Sequence, residues 1–138
     1  MKRYEQFPHT ADIGVRVFGK GLKELFENAA FAMFDIIADL EGLAGDEIEE
    51  LRLSASDDEE LLVSWLDELL YRFCTKQIIF YKFDVIELGG GKLTARAMGR
   101  PVGANRNRLK TEIKAAKYSG LKISKSGEVY SVEIIFDV

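Results

Sequence analysis

Hydrophobic positions along the chain change period several times, and each change marks an element. Ile13 to Phe18 read Ile-Gly-Val-Arg-Val-Phe, the period-two signature of a short strand, and Gly19-Lys20-Gly21 closes it. From Leu22 the apolar residues recur at Leu22, Leu25, Phe26, Ala29, Met33, Phe34 and Ile37, which predicts an amphipathic helix that stops before Gly42. A second helix is marked by Ser56 and Glu59, a capping-box pattern in front of Leu61, Leu62, Trp65, Leu66, Leu69, Leu70 and Phe73. After Lys76 the run Ile78 to Leu88 is rich in β-branched and aromatic residues, and Gly89-Gly90-Gly91 turns it into Leu93 to Met98, a predicted hairpin. Glu112 to Ala116, Leu121 to Ile123 and Val129 to Val138 complete the strand candidates, with a turn at Ser126-Gly127. In the last of them Tyr130, Val132, Ile134 and Phe136 share one face, and Ser131, Glu133, Ile135 and Asp137 the other.

Strand, helix, strand, helix and then several strands predict an α+β fold. Two helices cannot cover both faces of a wide sheet. The expected architecture is therefore a two-layer sandwich, a mixed β-sheet of six to seven strands with two amphipathic helices packed on one face. No repeat, linker or low-complexity segment interrupts the chain, so residues 1–138 are read as a single domain.

Composition narrows the function. At 138 residues, 47% apolar and 30% charged, the chain is long enough to fold without a disulfide or metal staple. Its formal charge of −4 excludes a general coat for nucleic acid. That sum conceals a separation: residues 39–60 carry −9 and residues 92–127 carry +9. Part of the acidic run has a structural reason, since Asp57 to Glu60 fall in the first turn of the second helix, where carboxylates interact favourably with the helix dipole. The basic run contains Arg100-Pro101-Val102-Gly103-Ala104-Asn105-Arg106-Asn107-Arg108, which reads as a loop. Its Arg106 and Arg108 are candidate contacts for a partner or a phosphate, because guanidinium groups bind anions bidentately. The longest uncharged run, Asn28 to Phe34, is too short to span a membrane. The one cysteine, Cys74, reads as an inert core residue in a reducing, cytoplasmic setting.

Few groups are available for chemistry. The single histidine, His9, would have to serve any nucleophilic triad, and two Cys/His residues are too few for the usual zinc sites. The triple glycine before Lys92 lacks the phosphate-loop spacing. Oxygen ligands remain. Asp12 precedes the first predicted strand, and Asp137 stands beside Val138 at the other end of the sequence. If the fold brought the termini together, these hard oxygens would suit Ca²⁺ or Mg²⁺.

His9-Thr10-Ala11-Asp12-Ile13-Gly14-Val15, Leu22 to Ala30, Ala32-Met33-Phe34-Asp35, Trp65-Leu66-Asp67-Glu68-Leu69-Leu70, Glu112-Ile113-Lys114-Ala115 and an Asp near the last position together resemble the archease family, over about residues 4–138. The resemblance implies a non-catalytic protein cofactor that activates the RtcB-type RNA ligase of tRNA splicing, promoting its guanylylation and multiple turnover. It implies a divalent-metal site at Asp12, Asp137 and the terminal oxygens of Val138, with Ca²⁺ foremost and Mg²⁺ or Mn²⁺ as alternatives. It gives Lys114 a functional role, no residue a catalytic one, and allows indirect contact with GTP or tRNA; membrane contact is not expected, because the uncharged runs are too short. Two departures stand out: Lys117 and Ser119 occupy positions where many relatives have Thr and His, and Asn107 stands where His is frequent. The competing readings are a small metal-dependent hydrolase using Asp12, Asp137 and His9 as general base, and a chaperone or interaction module using the charge-separated surface.

Overall fold

The computed structural model describes residues 1–117 and 120–138, with elements in the order β1 (Tyr4–His9), β2 (Asp12–Gly19), α1 (Leu22–Ile37), β3 (Glu47–Ser54), α2 (Asp58–Lys76), β4 (Ile78–Gly89), β5 (Lys92–Pro101), a 3₁₀ helix (Gly103–Arg108), β6 (Ala115–Ala116), β7 (Ser124–Ser126) and β8 (Val129–Asp137). The α+β class and both amphipathic helices are as the sequence predicts. The strands, however, divide into two sheets, and every pairing among the described residues is antiparallel, not mixed. One sheet has five strands in the order β1-β2-β8-β6 with β7 also paired to β8, and the other has three in the order β3-β5-β4.

Helix α1 packs against β2 of one sheet and β4 of the other. That position explains why Leu25, Phe26, Ala29, Ala30, Ala32, Met33, Phe34, Ile36 and Ile37 are all buried, a wider face than a helix lying on one sheet needs. Phe34 lies at the centre of an aromatic cluster, with ring centroids 5.5 Å from Phe80 and 5.9 Å from Phe73. Trp65 of α2 is fully buried, and its indole N–H donates to the Phe26 carbonyl at 2.9 Å, tying α2 to α1.

The helix ends differ from the sequence reading. Helix α1 stops at Ile37 because the chain after the 3₁₀ helix takes over its last carbonyl: the Lys110 N–H donates to Ile37 O at 2.7 Å. Helix α2 is capped by Asp57, whose side chain accepts from the Glu60 N–H at 2.7 Å, while the Ser56 hydroxyl donates to the Glu60 carboxylate. The cap therefore sits one residue later than the Ser56–Glu59 pattern suggests. Cys74, expected in the core, is exposed. The β4–β5 hairpin forms as predicted, with Gly90 and Gly91 in left-handed conformations at its turn.

Strand β1 was not legible as a strand. It pairs only with β2, an edge position that tolerates the missing N–H of Pro8. The hairpin turns at Thr10-Ala11, where Ala11 takes a left-handed φ of 60° without the glycine or asparagine that normally advertises such a turn. Leu121 to Ile123 form no strand, and the predicted segment Glu112 to Ala116 pairs only over Ala115–Ala116.

Candidate functional site at the end of the five-stranded sheet

Strands β2 and β8 pair with Ile13 opposite Phe136, and Val15, Val17, Val132, Ile134 and Phe136 fill the core. The alternate residues face outward. On that outer face Arg16 lies between Glu5 and Glu133, its partners in register on either side, and forms ion pairs with both. The same alternation, continued to the strand ends, puts Asp12 beside Asp137, with His9 across β1 and Ala115 across β6. Gly14 lies on this face as well. A Cβ there would fall onto the Phe7 ring, so glycine lets the ring lie across β2.

The first half of the sequence expectation about the ends of the chain needs correction. It is the β1–β2 turn, not the N-terminus, that meets the end of β8. Residues before β1 lie at the far end of the hairpin, where the Phe18 N–H donates to Arg3 O at 3.0 Å. Asp12 reaches the site because the tight turn at Ala11 delivers it there. A left-handed alanine is strained by about 1–2 kcal/mol, and strain of that kind persists only where the surrounding structure over-determines it.

A cation already lies among these carboxylates. The Lys117 ammonium donates to Asp12 Oδ2 at 2.7 Å. That hydrogen bond raises the Lys117 pKa against the opposing effect of desolvation, and the charges of Asp12 and Asp137 raise it further. His9 Nδ1 is 3.7 Å from the same Asp12 oxygen. The Asp12 side chain is only 12% exposed, whereas that of Lys117 is 47% exposed. The donor set is thus hard and anionic, as a divalent ion such as Ca²⁺ requires. No group of three or more His, Cys, Asp or Glu able to hold a metal occurs among the described residues. The side chains would accordingly furnish two carboxylates, with Val138 beside them and the remaining positions left to water or a partner.

The segment carrying Lys114 and Lys117 is fixed to the same place. The Lys114 N–H donates to Asp137 O at 2.7 Å and the Lys117 N–H to Ile135 O at 2.9 Å. From the other side Asp67 of α2 accepts the Ala116 N–H at 3.0 Å. Burial pushes the Asp67 carboxyl upward from its ordinary pKa, and the hydrogen bond from Ala116 partly offsets this. Asp67 stood in the sequence as part of a helical motif, and nothing there showed that it would hold β6. Lys114 itself is exposed, and among the described residues its side chain makes no hydrogen bond or ion pair. Ser119 lies outside the described residues.

The two arginines lie elsewhere. Arg108 donates to the carbonyls of Asp39 and Glu41 at 3.0 and 2.7 Å, holding the chain that follows α1. Arg106 is exposed and lines a groove of about 400 Å³ with Ile37, Phe73, Cys74 and Leu109. Neither arginine makes a hydrogen bond or ion pair with Asp12, Asp137 or Lys117 among the described residues.

The archease protein family model matches residues 4–138. This chain belongs to the archease family. It is 40% identical to the protein archease of Methanosarcina barkeri, covering 99% of this chain and 97% of that protein, and 34% identical to that of Sulfurisphaera tokodaii, covering 100% of both. The solution structure of Methanobacterium thermoautotrophicum protein 1598 superposes with a TM-score of 0.83 at 32% identity over 100% of both chains. The crystal structure of a Thermotoga maritima archease described as a possible chaperone shares the fold, with a TM-score of 0.67 at 22% identity over 97% of this chain and 96% of that one. No helix among the described residues is long and apolar enough to cross a membrane.

Proposed function

We propose that this archease-family chain is a non-catalytic activator of an RtcB-type RNA ligase in tRNA splicing, promoting guanylylation and multiple turnover from the sheet end that carries Asp12, Asp137, Lys114 and Lys117. The observation that carries the reading is the convergence of Asp12 and Asp137 on one face of adjacent strands, 125 positions apart in the chain, with the Lys117 ammonium against Asp12. Asp12 and Asp137 would hold a divalent cation, Ca²⁺ foremost, with Val138 contributing through its terminal oxygens. Such an ion would supply positive charge near a nucleotide triphosphate. The protein's own contribution is positional. Strand pairing holds the two carboxylates, Asp67 holds β6 from behind, and Lys114, exposed and without a side-chain partner among the described residues, would meet an anionic partner group. An exposed ammonium on a backbone held by its own N–H and by the pairing of Ala115 is suited to that task, since little ordering remains to be done on contact.

Single-turnover guanylylation of a cognate RtcB-type ligase, measured with and without this protein, tests the proposal. Acceleration by the wild type that Asp12→Ala and Asp137→Ala reduce is expected. Identical ligase rates with and without the wild-type protein would overturn it.

A further inference from the structure

We propose that Lys117 is a tethered counter-ion: its ammonium occupies the Asp12–Asp137 group in the metal-free protein and must swing out when a divalent cation binds, so that cation binding exposes a lysine at the proposed partner surface. This rests on the metal reading above and adds to it a residue and a coupling.

Three observations carry the inference. The ammonium is in direct contact with Asp12 Oδ2 at 2.7 Å, so an ion taking that oxygen meets a positive charge already in place. The backbone at Lys117 is fixed to β8 through its N–H to Ile135 O at 2.9 Å, so release requires only rotation of the side chain. That side chain is 47% exposed and has solvent to enter, whereas Asp12 at 12% has little freedom to follow it. Leaving the ammonium in position beside a divalent ion would set like charges within a few ångströms, which the site avoids by exchange.

The exchange has two consequences of opposite sign. In the metal-free state Lys117 neutralises part of the repulsion between the two aspartates and holds β6 to the β1–β2 turn. In the bound state its displacement opposes cation binding, which lowers divalent affinity relative to a chain with a neutral side chain there. The groups that face the ammonium are Asp12, Asp137 and, across Asp12, His9.

Lysine footprinting with an acylating reagent and mass spectrometry reads the displacement directly. Saturating Ca²⁺ is expected to raise the labelling rate of Lys117 several-fold while that of Lys20, just past the end of β2 opposite Asp12, stays constant. Calcium titration by calorimetry is the second readout, with Lys117→Gln expected to bind about tenfold more tightly than wild type and Asp12→Asn to bind weakly or not at all. Lys117→Gln should also melt lower than wild type in chelator and gain more from added Ca²⁺. Binding of Ca²⁺ by the wild type with unchanged Lys117 labelling, or equal affinity in Lys117→Gln, would overturn the counter-ion role and leave the metal reading intact. Absence of Ca²⁺, Mg²⁺ and Mn²⁺ binding in both proteins would overturn the metal reading and the counter-ion role with it.

Discussion

Two basic regions of this chain look alike in sequence and are used in different ways. In the segment from Arg100 to Arg108, two of the three guanidinium groups are turned inward onto the backbone, Arg100 donating to Ala44 O at 2.8 Å and Arg108 to Asp39 O and Glu41 O, while Arg106 is exposed. These bonds tie down the chain between α1 and β3, which has little regular structure of its own. At the end of the five-stranded sheet, by contrast, Lys117 meets a side-chain carboxylate, and Lys114 meets nothing among the described residues. A positive charge facing a carbonyl dipole serves the fold. One facing a carboxylate, or solvent, is available for exchange or contact. Local charge count cannot separate these cases, because the partner is chosen by the tertiary path.

The comparison can be broken experimentally, beginning where the largest effect is expected. Asp137→Ala and Asp12→Ala should each reduce activation of a cognate ligase by about tenfold or more, the range of a coupling worth roughly 1–3 kcal/mol. Single-turnover guanylylation measures this, and an equal loss in Arg100→Ala, whose guanidinium faces the Ala44 carbonyl, would dissolve the contrast between the regions. Lys114→Ala should lower activation several-fold while its unfolding free energy stays within about 0.5 kcal/mol of wild type, as for an exposed residue without a side-chain partner among the described residues. A large stability loss in urea unfolding would instead make Lys114 a structural residue. Arg108→Ala should behave in the opposite way, losing about 1 kcal/mol of stability through its two carbonyl contacts with ligase activation retained. Unaltered melting together with abolished activation would place Arg108 on the partner surface after all.

The smallest effect concerns pH. The folded-state pKa of Asp67 is raised, chiefly by burial, so the fold favours its protonated form. The corresponding stability is fully present below the ordinary aspartate value of about 3.9 and is lost as pH rises through the higher folded value. Asp67→Asn keeps an acceptor for the Ala116 N–H but does not titrate. Its stability relative to wild type should therefore increase as pH rises through that window, and denaturant unfolding at several pH values measures the slope. A difference independent of pH would show that burial of the Asp67 charge is not felt.

Much of the fold was legible where local pattern and tertiary role agree. Both helices, the β4–β5 hairpin and the two faces of β8 follow from spacing alone, because each buries a continuous apolar stripe. Strand β1 is not legible in the sequence because its turn uses Ala11, whose left-handed conformation is imposed by the strand pairing on either side. The strands also gave no sign of dividing between two sheets, since α1 is buried by both and its all-round burial resembles that of any deeply placed helix.

The candidate site divides along the same line. The oxygen chemistry of Asp12 and Asp137 could be read from residue type, and family resemblance drew attention to Lys114. Lys117 and Asp67 could not be identified in this way, because their significance depends on the contacts to Asp12 and to the Ala116 amide. By itself the sequence determined which residues prefer helix or strand, which faces are apolar, and which side chains carry hard oxygens or positive charge. These are local properties, set by backbone propensity, periodicity and functional-group chemistry. Only the tertiary structure decided which charges meet, since the β2–β8 register joins positions at opposite ends of the chain and no local interaction encodes that pairing.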